Sequence, residues 1–255
     1  MSTVTSLIAH REIDTDEWQL RVDLAVALRM AVELNLHEGI ANHFSAAVSA
    51  DGRKFLLNPK WKHFSLVKAS DLVLLDADDP SVLEGPDAPD VTAWVIHGAI
   101  HRAVPKARCI MHLHPPYATA LAALADPTIR PIDQNTARFF NRVTYDLAFG
   151  GMADENEEGE RLARALGNHG IMLMGNHGVL VAAGSIAEAF DDIYYLERAC
   201  QTLVLAYSTG QPLNVLSDHI AEKTAQSWEA FRPMAQAHFE QMKEVLAKKD
   251  ASFTE

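Results

Sequence analysis

The segment Ile110–Tyr117, IMHLHPPY, sets two histidines at alternate positions of an apolar run and then ends that run with two consecutive prolines. Proline has no amide proton to give a sheet, yet it is tolerated in the first turn of a helix, where the amides are unpaired anyway. A buried strand that passes directly into the helix YATALAALA is therefore expected here. In a strand, residues i and i+2 share a face, so His112 and His114 are expected to point the same way.

The rest of the chain alternates in the same style. Asp14 with Glu17 three residues later has the form of a capping box, and Trp18, Val22, Ala25 and Leu28 continue at helical spacing, which predicts a helix to about Leu36. The short runs HFSAAVS, KFLLNP and DLVLLDAD read as strands joined by turns. The Pro-, Gly- and Asp-rich stretch DADDPSVLEGPDAPD reads as an exposed connection whose Asp90 caps the helix TAWVIHGAIHRAV. Downstream, RVTYDLA, IMLMG and GVLVAAG read as strands. DENEEGERLARALG reads as a helix whose acidic start favours the positive end of the helix dipole. Ser185 and Glu188 open a second capped helix with a broad apolar face. A final helical stretch, residues 219–249, is interrupted by Pro233. Strands and helices alternating without a break in composition predict one α/β domain.

Composition excludes several functions. The 22 basic against 34 acidic side chains give a formal net charge of −12, which repels the phosphates a nucleic-acid binder must neutralise. No apolar run approaches the ~20 residues needed to cross a bilayer, and the opening residues lack the pattern of an export signal. Cys109 and Cys200 form no C-x-x-C pair, so neither a disulfide framework nor a sulfur-ligated zinc site is indicated, and a reducing cytoplasm fits.

Two histidines on one half-buried face can be satisfied by local hydrogen bonds, or they can converge on a metal ion, since neutral imidazole is a good ligand for zinc and other first-row divalent metals. His177 weighs toward metal. It lies in Gly175-Asn176-His177-Gly178, a turn between two apolar strands, where flanking glycines let the backbone bend closely around a bound group.

Taken together, NHFS, VIHGAIHRAVPKARCIMHLHPPYATALAAL, GNHGVLV and SIAEAFDDIYYLERACQ, in this order, resemble the class II aldolase/adducin family from about Glu17 to Thr209. The resemblance implies a single three-layer α/β/α domain around a largely antiparallel sheet, a homotetramer with sites at subunit interfaces, and a divalent metal on His112, His114 and His177. It divides the chain into an extension at 1–16, a domain at 17–210 and a helical extension at 211–255. Zinc is the metal expected first, with manganese, iron, cobalt and nickel also compatible with ligation by histidines alone.

The sugar-phosphate aldolases of that family carry Ser-Ser-Glu ahead of the His-x-His strand, where this chain has Val91-Thr92-Ala93. Alanine cannot move a proton. Their phosphate loop G-x-x-G-N-x-S becomes Gly39-Ile40-Ala41-Asn42-His43-Phe44-Ser45, so phosphorylated sugars are not the expected substrates. His97 and His101, four and eight residues after Ala93, fall on the helix face of the missing glutamate; His97, the nearer, is the expected acid-base residue. Asn42, His43 and Gln134 are the expected substrate contacts, with turn and cap roles as the ordinary alternative. Arg138, on the same helix face as Gln134, is open to either a substrate contact or a surface ion pair.

A three-histidine metal keeps open positions, so a small-molecule substrate can chelate it through two oxygens, and the ion can stabilise the enolate that forms when a carbon–carbon bond next to a carbonyl breaks. The expected activity is thus a metal-dependent lyase, by aldol cleavage or decarboxylation, acting on a non-phosphorylated hydroxy or oxo acid or an aromatic acid. The alternatives are an Fe(II) oxygenase and a non-catalytic interaction domain.

Overall fold

The computed structural model describes residues 13–85, 88–151 and 154–255. Most of the expected amino-terminal extension, positions 1–12, and Pro86 and Asp87 of the expected connection lie outside the described residues.

Helix α1 spans Thr15–Glu33, and its start follows from the sequence: Asp14 accepts a hydrogen bond from the Glu17 amide at 2.8 Å. Strands β1 (His43–Ala47), β2 (Lys54–Leu57) and β3 (Val73–Asp76) follow, and then α2 (Val91–Ala103), capped by Asp90. Strand β4 (Cys109–Leu113) leads through Pro115 into α3 (Pro116–Ala122), as the two prolines require. After α4 (Gln134–Arg138) come β5 (Val143–Asp146), α5 (Asn156–Leu166), β6 (Ile171–Met174) and β7 (Gly178–Ala183). The chain ends with α6 (Ile186–Ser208), α7 (Asp218–Ala230) and α8 (Met234–Lys249), the last two separated at Pro233. No described helix is long and apolar enough to cross a membrane.

The seven strands form one sheet in the order β3-β2-β1-β4-β7-β6-β5. Pairing is antiparallel from β3 to β6, but β5 and β6 run parallel. The expectation of a largely antiparallel sheet is therefore corrected to a mixed one. The cause is α5, which lies between β5 and β6 in the chain and returns it to the starting end of the sheet, as a parallel pair requires.

Strand periodicity separates the two faces. Phe44, Ala46, Met111, Leu113, Val179 and Val181 enter a large core with α1, α3, α6 and α8. Their alternates Ile110, Leu180 and Ala182 meet α2 and α5 on the other face. Residues after 210 pack back on the domain: α8 lies on α1 and α6, and α7 lies on α4. Phe239 is buried against Phe190, whereas Phe231 is 65% exposed.

Candidate metal centre

His112 is on β4 in register with His43 of β1. It shares the face of Ile110, so it points toward α2. His114 lies just past the end of the strand. The β6–β7 connection brings His177 to the same end of the sheet. Asn176 there takes a left-handed φ of 54°, a conformation asparagine tolerates, and its amide donates to the Ala122 carbonyl at the end of α3. The turn is thus tied to the helix that follows the His-x-His strand. Gly178 permits the close approach: a Cβ at that position would lie 2.5 Å from both the Leu113 carbonyl oxygen and His114 Cδ2.

The ligand atoms of His112, His114 and His177 lie within 4.8 Å of one another, with Nε2 of His112 and Nε2 of His114 3.1 Å apart. Second partners orient two of the rings. His112 Nδ1–H donates to the Val179 carbonyl at 3.0 Å, and His114 Nδ1 hydrogen-bonds the Glu38 carboxylate. Both Nε2 atoms therefore present lone pairs, and two lone pairs at 3.1 Å repel unless a cation, a proton or a metal ion, stands between them. Burial, reinforced by the imidazoles of His43, His177, His114 and His97, pushes His112 well below its ordinary pKa. Burial and then His114 lower His177 to about 4, against the opposing pull of Glu38. Neutral imidazole is the ligating form, so the donor set fits a divalent metal.

These histidines line a hollow of about 410 Å³ together with Ala41, His43, Thr92, Ile96, Phe149 and Asn176. No lysine or arginine is among its described lining residues.

Behind the hollow runs a buried polar chain. His43 Nδ1 is 2.7 Å from His97 Nε2. His97 Nδ1 is 2.5 Å from Ser45 Oγ, which is 2.8 Å from His101 Nε2. His101 Nδ1 is 2.9 Å from the Ala107 carbonyl. His97, His101 and Ser45 are fully buried. Burial is the main cause that holds His43 and His101 down to about 4, and His97 well below the ordinary value.

The structure thus brings His112, His114, His177 and His43 to one hollow and sets His97 directly behind His43. Asn42 is buried one residue from the hollow, where its Oδ1 accepts the Glu38 amide hydrogen at 2.6 Å and holds the loop that carries Glu38. Gln134 lies elsewhere. It lines a different hollow with Leu216, Ile220, Trp228 and Phe231. Arg138 is not a surface ion pair: its Nη2 is buried between Asp191 and Asp192, at 2.7 and 2.8 Å, under Tyr195 and Trp228, while its Nη1 has no hydrogen-bond partner among the described residues.

Sequence reasoning passed over Glu38, Ser45, Thr92 and Phe149. Ser45 had a signal, since it falls two residues after His43 and so on the same strand face. Glu38 had none, because no spacing rule links it to a histidine 76 positions later.

Residues 22–204 match the family model described as class II aldolase and adducin N-terminal domain. An aldolase class 2 protein of Pseudomonas aeruginosa is 32% identical over 215 residues, covering 84% of this chain and 82% of its own length. Decarboxylase NovR of Streptomyces niveus is 28% identical over 221 residues, covering 84% and 81%. The crystal structure of an aldolase II superfamily protein from Pseudomonas syringae superposes with a TM-score of 0.86 at 29% identity, covering 96% of this chain and 98% of that one. A family match over most of the chain, with a relative above 30% identity on most of both lengths, establishes that this chain belongs to the class II aldolase and adducin family.

Proposed function

We propose that the chain is a divalent-metal-dependent lyase that breaks a carbon–carbon bond beside a carbonyl in a non-phosphorylated hydroxy or oxo acid, or an aromatic acid. The observation that carries this reading is the cluster of three imidazoles, His112, His114 and His177, opening on a hollow whose described lining has no lysine or arginine. A phosphate dianion would find no guanidinium or ammonium there to offset its desolvation, whereas a single carboxylate can be balanced by the ion itself. The Decarboxylase NovR relative supports a lyase-type reaction.

His112, His114 and His177 would hold the ion, with zinc the first expectation and manganese, iron, cobalt or nickel compatible with the same donors. When bound, the ion acts as a Lewis acid that offsets the negative charge growing on the carbonyl oxygen as the neighbouring bond breaks. Glu38 and the Val179 carbonyl keep the two β4-side rings oriented. Phe149 and Ile96 provide apolar wall, and Thr92 and His43 provide polar contacts. In this reading His97 acts through His43, Asn42 supports the Glu38 loop, and Gln134 takes no part within its own chain.

Two buried free thiols, Cys109 and Cys200, fit a cytoplasmic setting. The exposed Phe231 and Ile220, 65% and 43%, fit a homotetramer that covers them.

Elemental analysis of purified protein, followed by a screen of hydroxy-oxo acids and hydroxylated aromatic acids for aldehyde or carbon dioxide release, tests the proposal. Release that stops on chelation and returns with metal supports it. Oxygen consumed in step with product would make the protein an oxygenase instead. A folded protein that binds no metal would leave the interaction-domain alternative, and activity confined to phosphorylated sugars would refute the substrate class.

A further inference from the structure

The buried chain behind the hollow has a direction, and the direction follows from which atoms can donate. It begins at a carbonyl, which only accepts, so His101 carries its proton on Nδ1 and donates to Ala107. Its Nε2 is then an acceptor, and Ser45 must spend its single hydroxyl proton on it. Toward His97 the same oxygen can therefore only accept, so His97 is protonated on Nδ1 and bare on Nε2. His43 donates from Nδ1 to that bare nitrogen. The remaining ring nitrogen, His43 Nε2, has no partner inside the described protein, and His43 lines the hollow beside His112, with ring centroids 4.8 Å apart.

From this chain we infer that Ser45, His97 and His101 are positioning residues that lock His43 in one tautomer, so that the hollow presents a hydrogen-bond acceptor reserved for an O–H group of the ligand. A hydroxyl or phenol facing His43 is matched, whereas an ether, a carbonyl or a carboxylate oxygen in that place meets a lone pair. Deep burial favours the neutral, single-proton form of His97 and His101. The ligand half of the inference rests on the proposed substrate site; the tautomer half does not.

Two measurements on the zinc-loaded protein test it. Long-range proton–nitrogen NMR with labelled histidine should find His43, His97 and His101 all protonated on Nδ1 and not on Nε2 at neutral pH. His43 or His97 protonated on Nε2, or His43 Nε2 coordinated to zinc, overturns the inference. Binding of lactate and of its methyl ether, 2-methoxypropanoate, then reads the selectivity. Wild type should prefer lactate by about tenfold or more, the scale set by leaving a buried acceptor unpaired. In Ser45→Ala the preference should shrink severalfold, because His97 and His43 can then exchange tautomers; the steric cost of the methyl group is unchanged, since Ser45 lies two links from the hollow. In His97→Gln it should persist, because an amide accepts at one end and donates at the other. A wild-type ratio near one, binding of neither probe, or equal ratios in wild type and Ser45→Ala would overturn the O–H selectivity. Failure of the lyase proposal appears separately, as absent turnover with these tautomers and ratios intact.

Discussion

Gly178→Ala is the most demanding test of the histidine cluster, because it touches no ligand chemistry. The added Cβ would lie 2.5 Å from the Leu113 carbonyl oxygen and 2.5 Å from His114 Cδ2. Ordinary van der Waals contact begins near 3.4 Å, so about 0.9 Å must be found. The carbonyl cannot yield cheaply, since Leu113 is paired with Val179 in the β4–β7 ladder. Residue 178 must therefore shift away from the carbonyl and the His114 ring must turn, which displaces His114 or the neighbouring His177 by several times the roughly ±0.2 Å that metal–ligand distances tolerate. Overpacking of this kind costs roughly 1–3 kcal/mol of stability, and the misplaced ligand should lower metal affinity by about 10–100-fold, the scale seen when groups that orient ligands are lost. Competition with a chromophoric chelator reads the affinity, and urea unfolding reads the stability. Gly159→Ala is the control: its Cβ would clash at 2.6 Å with the Val95 carbonyl, between α5 and α2 and away from the three ligands. It should lower stability and leave metal affinity unchanged. Wild-type metal affinity in Gly178→Ala would refute the close approach on which the cluster depends.

His112→Ala should abolish stoichiometric metal in elemental analysis while circular dichroism shows a folded protein. Glu38→Gln, which weakens the anchor of His114, should lower metal affinity by about 10–100-fold in the same chelator competition; an unchanged value would mean that His114 needs no anchor. Arg138→Met leaves Asp191 and Asp192 beside each other with Arg232 as their remaining cation among the described residues and a hydrogen bond from His238. A loss of about 3 kcal/mol in urea unfolding is expected, and a loss below 1 would show the network to be dispensable. Acidification should destabilise the metal-free protein. His101 titrates near 4 when folded, because it is buried, against 6.5 in the open chain. Between those values the unfolded chain binds the extra proton, so stability is complete above about pH 6.5 and falls by up to ~1.4 kcal/mol per pH unit for each such histidine as pH drops toward 4. Urea unfolding at pH 7, 6 and 5 checks this, and a flat profile contradicts it.

Local rules made much of the scaffold legible. Asp14, Asp90 and Ser185 mark helix starts because a side-chain oxygen beside unpaired amides is a short-range device, and the paired prolines end β4 for an equally local reason. The direction of β5 against β6 was harder to read, because it depends on where α5 carries the chain rather than on the strands' own residues.

The sequence by itself determined the alternation of elements, the shared face of His43 and Ser45, and the turn that exposes His177, all of which arise from periodicity and backbone preference over a few residues. Only the tertiary structure decided that Glu38 reaches His114 and that Arg138 pairs with Asp191 and Asp192. It also decided that His97 stands behind His43 rather than in the hollow. Those outcomes depend on groups distant in sequence competing for the same few donors and acceptors in a space without water, where every polar atom must find its partner from whatever the packing brings near.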